Sequence, residues 1–371
     1  MTVHILISGG SVAGLTAAAL LGRAGHAVTL VERSTGPRQG GVAVDVRGTA
    51  LDVARSLGVY EHLIANRVTY EDRFVFVDRN GTPHAVVEPN ADVYDSPGDI
   101  EISRDRVVGI LADAVPDGVT KLHGYWIGDL QDEGSHVTVG IQGPDPRRER
   151  FDLVIGADGL HSNVRRLAFG AEERFARHLG LYVGVIRSCS TDLGVSDTTV
   201  YNEPGRMVMV RGNGDEQSVI LGYRSCLVDY DYRDVDAHRA MLTAAFPGDA
   251  GWRFREIRDE IASSPDLYFD AVSQVVMPSW TTGRVALVGD AGYCASFFSG
   301  MGTSLAMTGA AALARALHAE ATVPQALATY CTAMRPVVDA AHALAGEGAK
   351  ILFPTTDDDI ARRNRRYTLK V

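Results

Sequence analysis

Residues 3–33, VHILISGGSVAGLTAAALLGRAGHAVTLVER, constrain the fold more than any other stretch of the chain. Val3 to Ile7 is an apolar, β-branched run of strand length. Gly9 to Gly14 supplies a turn, and Leu15 to Ala24 is an Ala/Leu-rich helical segment closed by Gly25. Val28 to Val31 starts a second buried strand. Strand, glycine turn, helix, strand is a βαβ unit, and in doubly wound folds its first turn receives a pyrophosphate at the helix N-terminus. The candidate residues of that turn are Gly9, Ser11, Val12, Ala13 and Gly14, with Ser11 standing where GxGxxG has its second glycine. Glu32 lies eighteen residues after Gly14, where a carboxylate can accept hydrogen bonds from ribose hydroxyls and would repel a 2′-phosphate. A βαβ unit that binds nothing is the competing reading of these residues.

The length of 371 residues allows two or three compact units. A net charge of −10 argues against nucleic acid or a membrane surface as partner. The basic cluster Arg362, Arg363, Arg365 and Arg366 reads as a solvated terminal segment. Cys189, Cys226, Cys294 and Cys331 have no paired spacing, so reduced thiols and a cytoplasmic location are expected. No basic n-region marks a signal peptide, and the apolar stretch Leu305 to Leu317 carries Arg315, so no membrane span is expected. The histidines never fall at ligand spacings, and no metal site is expected.

Further along, Gly36 to Gly48 is glycine-rich, with Gly40 and Gly41 able to let backbone approach a ligand. Asp45 and Arg47 alternate on one face of a short strand, where they either point together at a cofactor or pair with each other. Asn80-Gly81 between alternating apolar runs signals a hairpin, read as an excursion into a second layer. Arg104 sits at a strand-to-helix junction, where side chains face a ligand crevice or simply solvent. The strand Phe151 to Ile155, joined to Val137 to Ile141 by the polar loop GPDPRRER, runs into GADGLHSNVRR. There Asp158 stands between Gly156 and Gly159, Ser162 is placed to cap a helix, and Arg165 follows. From Gly170 to Asp270 alternating strands dominate, with Gly212 to Asp215 as a turn, giving a separate antiparallel sheet. A buried strand then ends in Gly289-Asp290-Ala291, followed by a loop in which Gly300 and Gly302 precede a small-residue helix. The remainder reads as helices broken near Pro336 and Pro354.

Three stretches, GGSVAG with Glu32 and Arg33, GADGLHSNVR, and GRVALVGDA followed by SGMG, together resemble the single-component FAD-dependent aromatic hydroxylases. That group is related to para-hydroxybenzoate hydroxylase and includes the tetracycline-inactivating monooxygenases. The resemblance covers most of residues 1 to 335. It implies an α/β fold: a Rossmann-like FAD-binding domain (1–67, 95–170, 272–323), an inserted antiparallel substrate-binding sheet (68–94, 171–271) and C-terminal helices (324–371). It places Gly9, Ser11 and Gly14 on the pyrophosphate, Glu32 and Arg33 at the adenosine, and Asp45 and Arg104 on the flavin or its ribityl chain. Asp158 and Gly159 fall in the motif that touches FAD and the nicotinamide donor, with Arg165 as partner. Asp290 falls on the ribityl hydroxyls, and Gly300, Met301, Gly302 and Thr303 lie beside the isoalloxazine. Two positions depart from the family pattern: Tyr293 replaces its usual histidine and Phe297 its proline.

The absence of a catalytic triad or carboxylate pair fits a cofactor that carries the chemistry. In similar enzymes NAD(P)H, bound transiently, reduces the flavin, and a C4a-hydroperoxide delivers oxygen to the substrate. A largely apolar pocket formed by Tyr182, Met209, Arg224 and Phe297 implies a bulky aromatic or polyketide-like substrate, with ordinary sheet packing as the alternative for each residue. The expected partner is this small molecule, the protein being a monomer or homodimer. The rivals are a flavin-dependent dehydrogenase or Baeyer–Villiger-type oxygenase, a halogenase, whose Trp-x-Trp-x-Ile-Pro signature is absent, and a non-catalytic flavin- or product-binding protein.

Overall fold

The computed structural model describes residues 2–36, 43–68, 73–87, 98–187, 189–195, 197–213, 216–232, 234–247, 251–265 and 267–367. The chain forms two compact units. The first comprises Met1–Val68, Gly98–Arg177 and Ser273–Ala345; the second comprises Thr69–Pro97, His178–Val272 and Gly346–Val371.

A six-stranded sheet organises the first unit, in the order Thr281–Thr282, Val285–Leu287, Leu153–Gly156, His4–Ser8, Ala27–Glu32, Thr120–His123. All neighbours are parallel except the first pair. Ile5, Leu6 and Ile7 are completely buried, which is why the middle of the opening strand is apolar at successive positions instead of alternating. His4–Ser8 lies between the strand that follows it in the chain and one reached much later. This reversal of strand order opens a crevice at the carboxyl ends, the usual ligand position of doubly wound sheets. Helices Val12–Arg23 and Gly302–Ala319 pack on each other, and both are rich in buried alanines, including Ala17, Ala18, Ala310 and Ala311.

The second unit is built on a seven-stranded sheet: Leu267–Val275, Ala176–Ile186, Glu216–Arg224, Arg206–Asn213, Thr198–Glu203, Phe74–Val77, Pro83–Val87. Helices Val235–Ala245 and Phe254–Ser263 cover one face, where Tyr182, Val208, Val210, Leu221 and Tyr223 form a core with Leu242, Phe246, Ile257 and Ile261. The expected Asn80-Gly81 hairpin is present, Phe74–Val77 pairing antiparallel with Pro83–Val87. Of the turn expected at Gly212 to Asp215, Gly214 and Asp215 lie outside the described residues, as do Gly40 and Gly41.

Four details differ from expectation. The second sheet is not wholly antiparallel: Phe74–Val77 and Thr198–Glu203 run parallel, which the long intervening chain permits. Half of the supposed loop GPDPRRER is in strand, Arg147–Phe151 pairing with Val137–Gln142 at the edge of a three-stranded sheet. Charge is normal on edge strands, and the Arg148–Asp129 ion pair at 2.7 Å accommodates it. Helix Val323–Leu352 continues through Pro336, since burial of Val323, Leu327, Tyr330, Met334 and Val338 outweighs one missing backbone donor. The segment 324–371 is therefore not a unit of its own; the first unit takes it to Ala345 and the second from Gly346. Finally, Arg363 is not simply solvated: it lies 3.8 Å over the Phe76 ring and donates to the Ile351 carbonyl at 3.1 Å.

Candidate active site

The first turn leaves the strand at Ser8, and its glycines are dictated by space. Gly9 has φ +111°, and a Cβ there would lie 2.3 Å from the Ala157 carbonyl oxygen; one at Gly14 would lie 1.8 Å from the Gly9 oxygen. Ser11 is the helix N-cap but makes no side-chain cap; its hydroxyl instead accepts a hydrogen bond from Arg104 at 3.2 Å. The first-turn amides, which have no intrahelical acceptor, are thus left for an anion. Glu32 accepts from the Gly10 amide at 2.7 Å with one oxygen and from the Ser34 amide at 2.8 Å with the other. Each oxygen retains a lone pair for a ribose hydroxyl.

The second turn, after Leu153–Gly156, is closed on itself. Asp158 accepts from the Asn163 and Val164 amides at 2.9 and 3.1 Å and from the Ser162 hydroxyl. Burial raises its pKa, and these donors oppose the shift. Ser162 caps the helix Asn163–Ala168 as expected, accepting from the Arg165 amide at 3.0 Å. Arg165 is completely buried, yet its hydrogen-bonded partners are not the Asp158 side chain. It donates to the carbonyls of Ala291 (2.9 Å) and Leu160 (2.6 Å) and to Glu172 (2.8 Å). Arg165 therefore ties the second turn to the third. Sequence spacing missed this because Ala291 and Glu172 enter from other segments.

In the third turn, Asp290 has its pKa raised by burial, with the charge of Arg104 working against the rise. Arg104 is thus shared between the first turn and Asp290. A Cβ at Gly302 would lie 3.9 Å from an Asp290 oxygen, and one at Gly300 would lie 3.2 Å from Asp45 Oδ2. Asp45 and Arg47 pair at 3.0 Å, and Asp99 lies 3.7 Å from the same guanidinium. Ser304, unnoticed in the sequence, donates to the Asp45 carbonyl at 3.1 Å and accepts from the Arg47 amide at 2.9 Å. Asp45, Asp290 and the Gly300–Thr303 loop are consequently neighbours.

Tyr293 is a core residue. Its hydroxyl lies 3.0 Å from that of Tyr330 and occupies the space that a Cβ at Gly309 would fill, 1.9 Å away; burial pushes its phenol up to about 12. Tyr330 also bonds the Leu287 carbonyl at 2.8 Å, so this substitution is absorbed by packing behind the strand end. Phe297, by contrast, is 36% exposed and stands edge-to-face with Phe298 at 5.2 Å.

Among the expected pocket residues on the second sheet, Tyr182 faces one way and Met209 and Arg224 the other. Tyr182 is completely buried on the helix-covered face of the second sheet, between Tyr223 and Phe269, and its hydroxyl accepts from the Val228 amide at 2.8 Å. The pairing of Met209 with Ile220, and of Arg224 with Leu181, puts both on the opposite face by strand alternation. Tyr182 is therefore corrected to a core residue. Arg224 donates to the Phe353 carbonyl at 3.1 Å. Phe297 belongs to the first unit. A groove of ≈ 870 Å³ in the second unit, lined by Arg79, His84, Tyr201, Glu203, Asp357 and Arg365 among others, contains none of the three motifs.

The glycine cradle, anion-ready helix end, ribose acceptor and second carboxylate at Asp290 fit a dinucleotide with a long polyhydroxyl arm. No helix among the described residues is long and apolar enough to cross a membrane. Residues 2–345 match the family described as FAD binding domain. A flavin-dependent monooxygenase from Legionella longbeachae is 35% identical over 342 residues, covering 91% of this chain and 86% of that protein. An uncharacterised Mycobacterium tuberculosis protein is 42% identical over 323 residues, 85% of each chain. The crystal structure of tetracycline destructase Tet(55) superposes with a TM-score of 0.84 at 32% identity, covering 99% of this chain and 95% of that one. Cofactor cradle, fold and relatives agree: the chain belongs to the FAD-binding family of flavin-dependent monooxygenases.

Proposed function

We propose that this monooxygenase uses NAD(P)H and dioxygen to hydroxylate a bulky, largely apolar aromatic or polyketide-like small molecule. The observation that carries this reading is the Phe297–Phe298 edge-to-face pair: Phe297 exposes an aromatic wall three residues before Gly300. Relatives at 32 and 33% identity are named tetracycline destructases, and tetracycline is a bulky fused-ring molecule.

Bound FAD supplies acceptance of two electrons from the nicotinamide donor and activation of dioxygen for transfer of one atom, the other leaving as water. The chain's own residues bind and orient. The amides after Ser11, with Arg104, hold the pyrophosphate; Glu32 holds the adenosine ribose, and Asp290 accepts from the ribityl hydroxyls. Asp45, braced by Arg47, fixes a polar edge beside the Gly300–Thr303 loop. Apolar walls keep water from the reacting atoms. The free thiols fit a reducing cytoplasm.

The test is a substrate panel on the yellow purified protein, following NADPH and NADH oxidation, oxygen uptake and product mass. Substrate-dependent oxidation with a mass gain of one oxygen on a fused-ring compound is expected. Turnover confined to small carboxylated aromatics would overturn the substrate class. Flavin binding with no substrate-dependent oxidation of either donor would overturn the proposed reaction.

A further inference from the structure

Trp126 stands apart from the other tryptophans of the chain. Trp280 is completely buried and Trp252 is 9% exposed, whereas Trp126 is 39% exposed, although it opens the strand Trp126–Asp132. Its exposed indole face is a flat apolar surface that a planar ring can cover. The Arg33 guanidinium lies 5.9 Å from its ring centroid, inside cation–π range. The backbone holds this pair beside Glu32: the Tyr125 amide donates to the Glu32 carbonyl at 3.0 Å, and the Gly124 amide to the Ser34 carbonyl at 3.1 Å.

We propose that Trp126, together with Arg33, is the stacking platform for the adenine of the bound cofactor. This rests on Glu32 taking the adenosine ribose. The base is bonded to that same five-membered ring, so it must lie within one ring's width of Glu32, on the side away from the Gly9–Gly14 turn. Trp126 and Arg33 offer there a flat apolar ring and a planar cation, both of which stack on a purine. Neither adds a donor or acceptor that reads the base edge, so the platform selects for a flat ring system and for cofactors that carry the adenosine half.

The experiment uses the full-length chain, with FAD and with ADP, which carries the adenosine half without the flavin's absorption. Iodide quenching of tryptophan emission reads Trp126, and loss of the quenchable component in Trp126→Phe assigns it. ADP is expected to shield this component in flavin-free protein, and FAD to shield it in holoenzyme. Trp126→Ala should weaken ADP and FAD by the same factor, about tenfold, with Trp126→Phe within about threefold of the parent protein. The visible spectrum of the flavin that remains bound should be unchanged. Equal ADP and FAD affinities in Trp126→Ala and parent would overturn the proposal. So would a Trp126 that stays quenchable in holoenzyme and is shielded only when NADPH is added, since the platform would then serve the donor. Failure of FAD to bind the parent protein would instead strike at the Glu32 site itself.

Discussion

The turn after His4–Ser8 and the turn after Leu153–Gly156 look alike in sequence, each a strand end with framed glycines and an acid nearby, yet their polar groups are used in opposite ways. In the first, the helix cap makes no capping bond, the leading amides lack intrahelical partners, and Glu32 keeps spare lone pairs. In the second, Asp158 takes the Ser162 hydroxyl and the Asn163 and Val164 amides, Ser162 caps the Arg165 amide, and the Arg165 side chain reaches Leu160, Ala291 and Glu172. An open turn is available to a ligand; a closed one holds the framework.

That division gives a first test at Arg165. Arg165→Met removes a completely buried guanidinium that bonds Ala291, Leu160 and Glu172, and should destabilise the protein by about 2–4 kcal/mol, since two carbonyls lose a charged donor while the partly exposed Glu172 is left to solvent. Denaturant midpoints with and without FAD would measure it. A stable variant with lost flavin affinity would reverse the assignment of this turn. Arg104→Met makes the counterpart. Its stability should change by less than about 1 kcal/mol, while FAD affinity should fall about 10- to 100-fold with loss of a charge-assisted contact. Flavin titration of the apoprotein reads this directly.

Asp290 separates ligand duty from stability on one side chain. Burial raises its pKa, so protonation favours the folded form and stability is lost as pH rises through the raised value. Asp290→Asn removes that cost above the raised pKa. The flavin-free variant should melt about 1–3 °C higher than the parent at neutral pH, with the difference vanishing in acid, while FAD binds more weakly. Melting curves across pH with the same set of FAD titrations check both signs. An unchanged flavin affinity would remove Asp290 from the cofactor site.

Strand-end glycines and buried strands were readable in the sequence because their causes are local: positive φ, absence of a Cβ, or an unbroken apolar run. The Gly9, Gly14 and Asn80-Gly81 turns are of this kind. The rest depended on partners distant in the chain. Arg165 meets Glu172 and Ala291 only once the sheet is assembled. Tyr182 and Met209 face opposite ways because strand pairing fixes a parity that composition does not display. Helix Val323–Leu352 passes Pro336 because a long buried stripe overrides one local breaker.

The smallest effect is expected at the position that first distinguished this chain, Ser11. Replacing it by glycine restores the full GxGxxG pattern and lets backbone approach the pyrophosphate more closely. Its hydroxyl makes no helix cap, so a few tenths of a kcal/mol at most should be lost there. What disappears is the 3.2 Å bond from Arg104, an exposed contact whose guanidinium keeps Asp290 as an electrostatic partner. The two changes oppose each other, and FAD affinity in Ser11→Gly should stay within about threefold of the parent. A tenfold loss would mean that Ser11 itself orients Arg104, making the open turn depend on its side chain as the closed turn does.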